Sequence, residues 1–174
     1  MTDPVWHLIF MGVSGSGKTT AAHAVNERLG WPFAEGDDFH SEENVAKMAA
    51  GHPLTDADRM PWLGRLAAWA REHDRAGRST LMSCSALRRT YRDVLRTGGE
   101  HTSFVHMVGD KGLLLERMSA REHFMPPTLL ESQLDTLEPL SEGENGFTVD
   151  VSKTPDQIAE EVLARLELAG RAGA

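Results

Sequence analysis

Apolar positions along this chain follow two alternating rhythms. Short unbroken runs of strand length are separated by stretches in which apolar residues recur every three or four positions. The run 6–12 (WHLIFMG) predicts a buried strand. Residues 18–29 put Ala21, Val25 and Leu29 on one stripe, which predicts a helix. A short strand is expected over 32–35, with Gly36–His40 as the loop leaving it. A short helix over 42–50 ends at Gly51, with Pro53 just beyond. Residues 59–76 gather Leu63, Leu66, Ala67 and Ala70 on one helical face and stop at Gly77.

The second half continues the alternation. Strands are expected over 79–84, 102–108 and 147–151, and helices over 88–96 and 110–120. A last helix starts near Pro155 and carries Ile158, Val162, Leu163 and Leu166; residues 170–174 read as a frayed tail. Strands separated by helices imply right-handed crossovers and an α/β fold. The expected sheet is parallel, has about five strands and carries helices on both faces. Ligands of such sheets bind at the carboxyl ends of the strands.

Composition narrows the function classes. The 174 residues suit one domain, 1–174, and the formal net charge of −8 disfavours nucleic acid and anionic membrane as partners. Cys84 is the one cysteine, which excludes an internal disulfide framework. The apolar run 5–13 is broken by His7, is too short to span a bilayer and has no Lys/Arg-rich leader. The expectation is a soluble protein of the reducing cytoplasm.

The strongest chemical signal is Gly12-Val13-Ser14-Gly15-Ser16-Gly17-Lys18-Thr19, which matches G-x-x-x-x-G-K-[ST] in full. Glycines let the backbone turn its amides inward, and the positive end of the following helix completes an anion nest. Lys18 would reach the β- and γ-phosphates, and the Thr19 hydroxyl would ligate Mg²⁺. The motif serves kinases, GTPases, ATPases and motors alike, so other residues must decide the reaction.

Asp37-Asp38 follows the second expected strand and could hold the magnesium's water shell or accept a proton from an attacking hydroxyl; Gly-Asp-Asp is equally good solvated-turn chemistry. The end of the third strand, Ser83-Cys84-Ser85-Ala86, offers no acid, which favours Asp37 by elimination. Trp62 and Trp69 read as a packing stripe. Arg88, Arg89 and Arg92 could clamp an anion or form a solvated face. Arg117 and Arg121 share a helical face, and the segment 121–127 (REHFMPP) breaks the helix, which suggests a mobile lid over about 117–136. Asp37, His40, His123 and Cys84 match no zinc spacing. A guanine-reading Asn-Lys-x-Asp is missing where Ser152-Lys-Thr-Pro-Asp156 stands, which disfavours a GTPase switch.

Five blocks carry a family resemblance: MGVSGSGKTT (11–20), EGDDFHSEENVAKM (35–48), GHPLTDADRMPWL (51–63), SCSALRRTYRD (83–93) and HFMPPTLLESQLDTLEPL (123–140). Over residues 6–168 the chain resembles the gluconokinases, small P-loop kinases related in fold to shikimate and nucleoside-monophosphate kinases. The resemblance implies transfer of the ATP γ-phosphate to the 6-hydroxyl of D-gluconate, with Mg²⁺, a cytoplasmic location and commonly a homodimer. It implies a nucleotide site of residues 12–19 with Thr20, Arg117, Arg121, Thr154 and Pro155. It assigns catalysis to Lys18, Asp37 and Arg121, metal to Thr19 and Asp37, and substrate to Asp37, His40, Lys47, Arg59, Arg92 and His123. Two departures stand out. Ser41 replaces the family's usual proline, where it makes a good helix cap, and the lid is one residue shorter before His123. The alternatives are a kinase for another aldonate, shikimate or a nucleotide, and a non-catalytic nucleotide-binding module.

Overall fold

β1 (Trp6–Met11) is buried from His7 to Met11, on both of its faces, as a central strand of a doubly covered sheet must be. The computed structural model describes residues 3–119 and 128–172. Around β1 lie β2 (Phe33–Glu35), β3 (Thr80–Ser83), β4 (His101–Val108) and β5 (Gly146–Asp150), in the order β2-β3-β1-β4-β5. Every pairing is parallel. The expected five-stranded parallel sheet is therefore present, with each strand within a residue or so of its sequence-based limits.

Helices supply the crossovers: α1 (Lys18–Leu29), α2 (Glu42–Ala49), α3 (Asp56–Arg75), α4 (Arg89–Arg96), α5 (Lys111–Ser119), α6 (Thr128–Thr136) and α7 (Pro155–Ala172). α1 packs on α7, and α3 packs on α4. With right-handed crossovers, the leftward step from β1 to β2 and the rightward step from β3 to β4 place α1 and α4 on opposite faces. Leu8, Phe10, Leu63, Leu66, Leu81 and Phe104 are at most 1% exposed and join one core. No described helix is long and apolar enough to cross a membrane.

Three local details differ from the sequence-based expectation. α3 starts at Asp56 rather than near residue 59. Thr55 and Asp58 form a reciprocal capping box, worth about 1 kcal/mol, which carries the helix back past Pro61. Gly36–Phe39, expected as loop, forms a 3₁₀ turn. Residues 128–136, where no helix was expected, form α6, and its Leu130 is fully buried in the main core. The Ser41 cap is present as expected, its hydroxyl accepting from the Asn44 amide at 3.2 Å.

Strand register sets the stage for chemistry. Phe10 and Glu35 both lie level with Ser83, so the carboxyl ends of β1, β2 and β3 converge at one height. The phosphate loop leaves β1 at this height.

Candidate active site

The loop 12–17 folds as the motif requires. Gly15 has φ +81°, and a Cβ there would lie 2.8 Å from the Leu114 carbonyl, so only glycine lets the loop pass under α5. Lys18 Nζ donates to the carbonyls of Gly12 and Val13, both at 3.1 Å, and is held over the loop it serves. Ser16 is fully buried, yet its hydroxyl has no partner among the described residues. An orphaned hydroxyl costs about 1–3 kcal/mol, and a phosphate oxygen is the ligand this nest is built to supply. Beside the loop opens a cavity of about 290 Å³ lined by Ser16, Thr20, Arg117, Lys153 and Pro155. Arg117 is fixed there by donating from Nη2 to the Val151 carbonyl at 2.7 Å. Thr154, also expected at the nucleotide, lies at the start of α7. It caps α7, its hydroxyl accepting from the Gln157 amide at 3.2 Å.

Thr19 Oγ1 donates to Glu35 Oε2 at 2.5 Å, and Ser83 Oγ donates to Glu35 Oε1 at 2.6 Å. Glu35 was not singled out from the sequence, since a strand-final glutamate beside Gly-Asp-Asp looks unremarkable. Gly36 makes its placement possible: a Cβ there would come within 2.3 Å of the Ser83 carbonyl. These hard oxygen donors fit Mg²⁺, which takes one or two carboxylates and leaves the rest of its shell to water and phosphate. Among the described residues there is no group of three His, Cys, Asp or Glu that could hold a metal by itself. Asp37 is exposed on the 3₁₀ turn. The Cys84 thiol is pushed up to about 12 by burial, and it feels the charges of Asp37, Lys18 and Glu35 together. Cys84 itself is an inert core residue.

A second, narrower pocket is lined by His40, Arg59, Trp62, Ser85, Ser132 and Gln133. Trp62 is 2% exposed, donates from Nε1 to the Gly36 carbonyl at 2.7 Å and stacks on His40 at 4.0 Å between centroids. The packing role expected for Trp62 therefore also builds the pocket floor. Asn44 Nδ2 lies 3.3 Å from His40 Nδ1 and can only donate, so His40 is neutral and carries its proton on Nε2. Burial, then the Arg65 and Arg59 guanidinium groups, push its pKa down to about 4. Arg65 holds the turn below by donating twice to the Phe39 carbonyl, at 3.0 and 2.8 Å. Arg59 Nη1 donates to the Tyr91 hydroxyl at 2.9 Å, and that hydroxyl donates in turn to Asp56.

The other expected substrate residues go elsewhere. Lys47 Nζ donates to Asp58 Oδ2 at 2.6 Å; that bond and the Thr55 amide hold Asp58 down to about 2. Arg92, expected at the substrate, does not line this pocket. It is fully buried, pairs with Glu144 at 2.9 Å and donates to the Ala86 carbonyl at 2.8 Å, so its guanidinium faces the core rather than the pocket. Arg88 and Arg89 pair with Asp56 and Glu144. Arg121 and His123 lie outside the described residues. Gln133, missed in the sequence, stands on α6 between the two pockets and accepts the Ser14 amide at 2.7 Å.

Comparison with known proteins gives this arrangement a family. Residues 8–140 match the AAA domain family. The chain is 47% identical over 161 residues to the gluconokinase of Gluconobacter oxydans (strain 621H), spanning 92% of this chain and 90% of that one. A gluconokinase structure from Sinorhizobium meliloti 1021 superposes with a TM-score of 0.87 at 40% identity, over 99% of this chain and 97% of that one. An unliganded sugar kinase from Janibacter sp. HTCC2649 superposes with a TM-score of 0.91 at 51% identity, over 97% and 98% of the two chains. Likeness of this depth along nearly the whole length places the chain in the gluconokinase family of small P-loop kinases.

Proposed function

We propose that this enzyme transfers the γ-phosphoryl group of ATP to the 6-hydroxyl of D-gluconate, giving 6-phospho-D-gluconate. The observation that carries the reading is the pairing of two pockets. A phosphate nest with an unsatisfied buried Ser16 hydroxyl lies beside a cleft that offers a neutral imidazole and a guanidinium. Gluconate is a polyol with one carboxylate, so it calls for one cation and several neutral hydrogen-bonding groups. Arg59 supplies the cation. His40 Nε2–H and Ser85 supply donors and acceptors, and Trp62 supplies an apolar floor.

Phosphoryl transfer needs positioning and charge neutralisation more than covalent chemistry. Lys18 leaves its loop carbonyls for the phosphate oxygens, and Arg117, with Arg121 of the adjoining segment, offsets charge on the nucleotide side. Mg²⁺, held by Thr19 and Glu35 with phosphate oxygens and water, would neutralise charge across the β- and γ-phosphates. Asp37 accepts the proton of the attacking hydroxyl. The family also implies a homodimer, which light scattering on the purified protein tests.

The reading is tested by coupled ADP release with Mg·ATP against gluconate, other aldonates, glucose, shikimate and nucleoside monophosphates. Turnover that requires gluconate, and that is abolished in Lys18→Ala, is expected. Turnover on shikimate or a nucleotide in preference to gluconate would overturn it.

A further inference from the structure

Gln133 is the one described side chain that lines the acceptor pocket and also holds an amide of the phosphate loop. Its Oε1 accepts from Ser14 N at 2.7 Å, across 119 positions of sequence. Loop amides of this kind are anion ligands, so the carboxamide oxygen stands where a phosphate oxygen would be received. The same carboxamide end carries two N–H donors. On its other side Gln133 lines the acceptor pocket together with His40, Arg59 and Ser132.

We propose that Gln133 is a positioning residue linking the two sites: its oxygen holds the Ser14 amide while the loop carries no anion, and nucleotide binding takes over that amide and turns the carboxamide towards the acceptor's hydroxyls. The inference rests on the reading of the second pocket as the sugar-acid site. Its consequence is a coupled response. Nucleotide displaces a side chain that also lines the acceptor pocket, so donor and acceptor binding influence one another.

The test compares the wild-type protein with Gln133→Met, which keeps length and volume without hydrogen bonding, and Gln133→Glu, which accepts more strongly and repels phosphate. Calorimetry with a non-hydrolysable ATP analogue and Mg²⁺, without acceptor, reads the loop side. The methionine variant is expected to bind the analogue at least about tenfold more tightly than the glutamate variant, with wild type between them. A general packing defect would weaken both alike. Steady-state kinetics read the acceptor side, where Gln133→Met is expected to raise KM for gluconate at least about threefold. A smaller gap between the two variants, or an unchanged gluconate KM, overturns the proposal. Thermal melts check folding, and Gln133→Leu replaces the methionine variant if that one does not fold. If wild type turns over no gluconate, the acceptor reading fails, while the analogue titration still decides whether Gln133 competes for the Ser14 amide.

Discussion

Arg92 and Glu144 meet at 2.9 Å with both side chains closed off from solvent. The pair does more than neutralise itself. Arg92 also donates to the Ala86 carbonyl, and Ala86 has φ +45°, a strained conformation for a residue with a Cβ. The neighbouring Ser85 carbonyl accepts the Gly12 amide at 3.2 Å. Arg92 thus holds the turn that joins β3 to the phosphate loop, acting from the core.

Removing one partner of a buried pair strands the other charge. Arg92→Met is expected to lose about 3–5 kcal/mol of unfolding free energy in urea titrations. Arg92→Met combined with Glu144→Leu should recover only part of that loss, because the Ala86 and Pro139 carbonyls lose their donor and Arg96 loses its partner. A single variant of unchanged stability with a raised gluconate KM would instead make Arg92 a substrate ligand.

How far the sequence was readable depends on the range of the interactions concerned. The phosphate loop, the Ser41 cap and the alternation of strands and helices rest on neighbours within one turn or one strand, and all were legible. The start of α3 was misplaced because the apolar stripe from Leu63 onwards marks only the body of the helix, while the Thr55–Asp58 capping box sets its beginning at Asp56. α6 was hidden behind Pro126 and Pro127, which suggest a break but say nothing of the chain after it. The pairing of Arg92 was not legible because its partner Glu144 lies 52 positions away, and a charge pattern cannot tell a buried pair from a clamp. Glu35 needed the register that sets it level with Ser83.

Glu35 is expected to govern the metal requirement rather than nucleotide binding as such. Glu35→Gln keeps the shape and hydrogen-bonding reach but removes the charge facing Thr19. Activity at limiting Mg²⁺ should fall about 10–100-fold, the usual cost of losing a metal's supporting carboxylate. Titrating Mg²⁺ in the ADP-release assay checks it, and partial recovery at high Mg²⁺ is expected. Equal Mg²⁺ dependence in both proteins would remove Glu35 from the site.

Acid should destabilise the fold in two steps. His40 takes up its proton at about 6.5 when unfolded but only at about 4 in the native protein. The unfolded state therefore binds more protons in this window, and stability is full above it and lost as pH falls from about 6.5 to 4. His106, pushed down to about 4 by burial and by Arg92, adds to the same slope. Glu144 follows at lower pH. Burial opposes its ionisation, but the Arg92 hydrogen bond and charge, with help from Arg96, hold its carboxyl below the usual range. Its contribution is present above its ordinary pKa and disappears as pH drops through the native one. Melting temperatures of wild type and His40→Gln from pH 7 to 4 should show a shallower fall in the variant. Parallel curves would mean that His40 titrates normally.

The central claim is the site of phosphorylation, and phosphorus NMR of the product formed from ATP and gluconate tests it most directly. Transfer to the 6-hydroxyl predicts a new phosphomonoester resonance coupled to the two protons of a methylene carbon, growing in step with ADP. A resonance coupled to a single carbinol proton, or inorganic phosphate as the sole new species, would contradict the account.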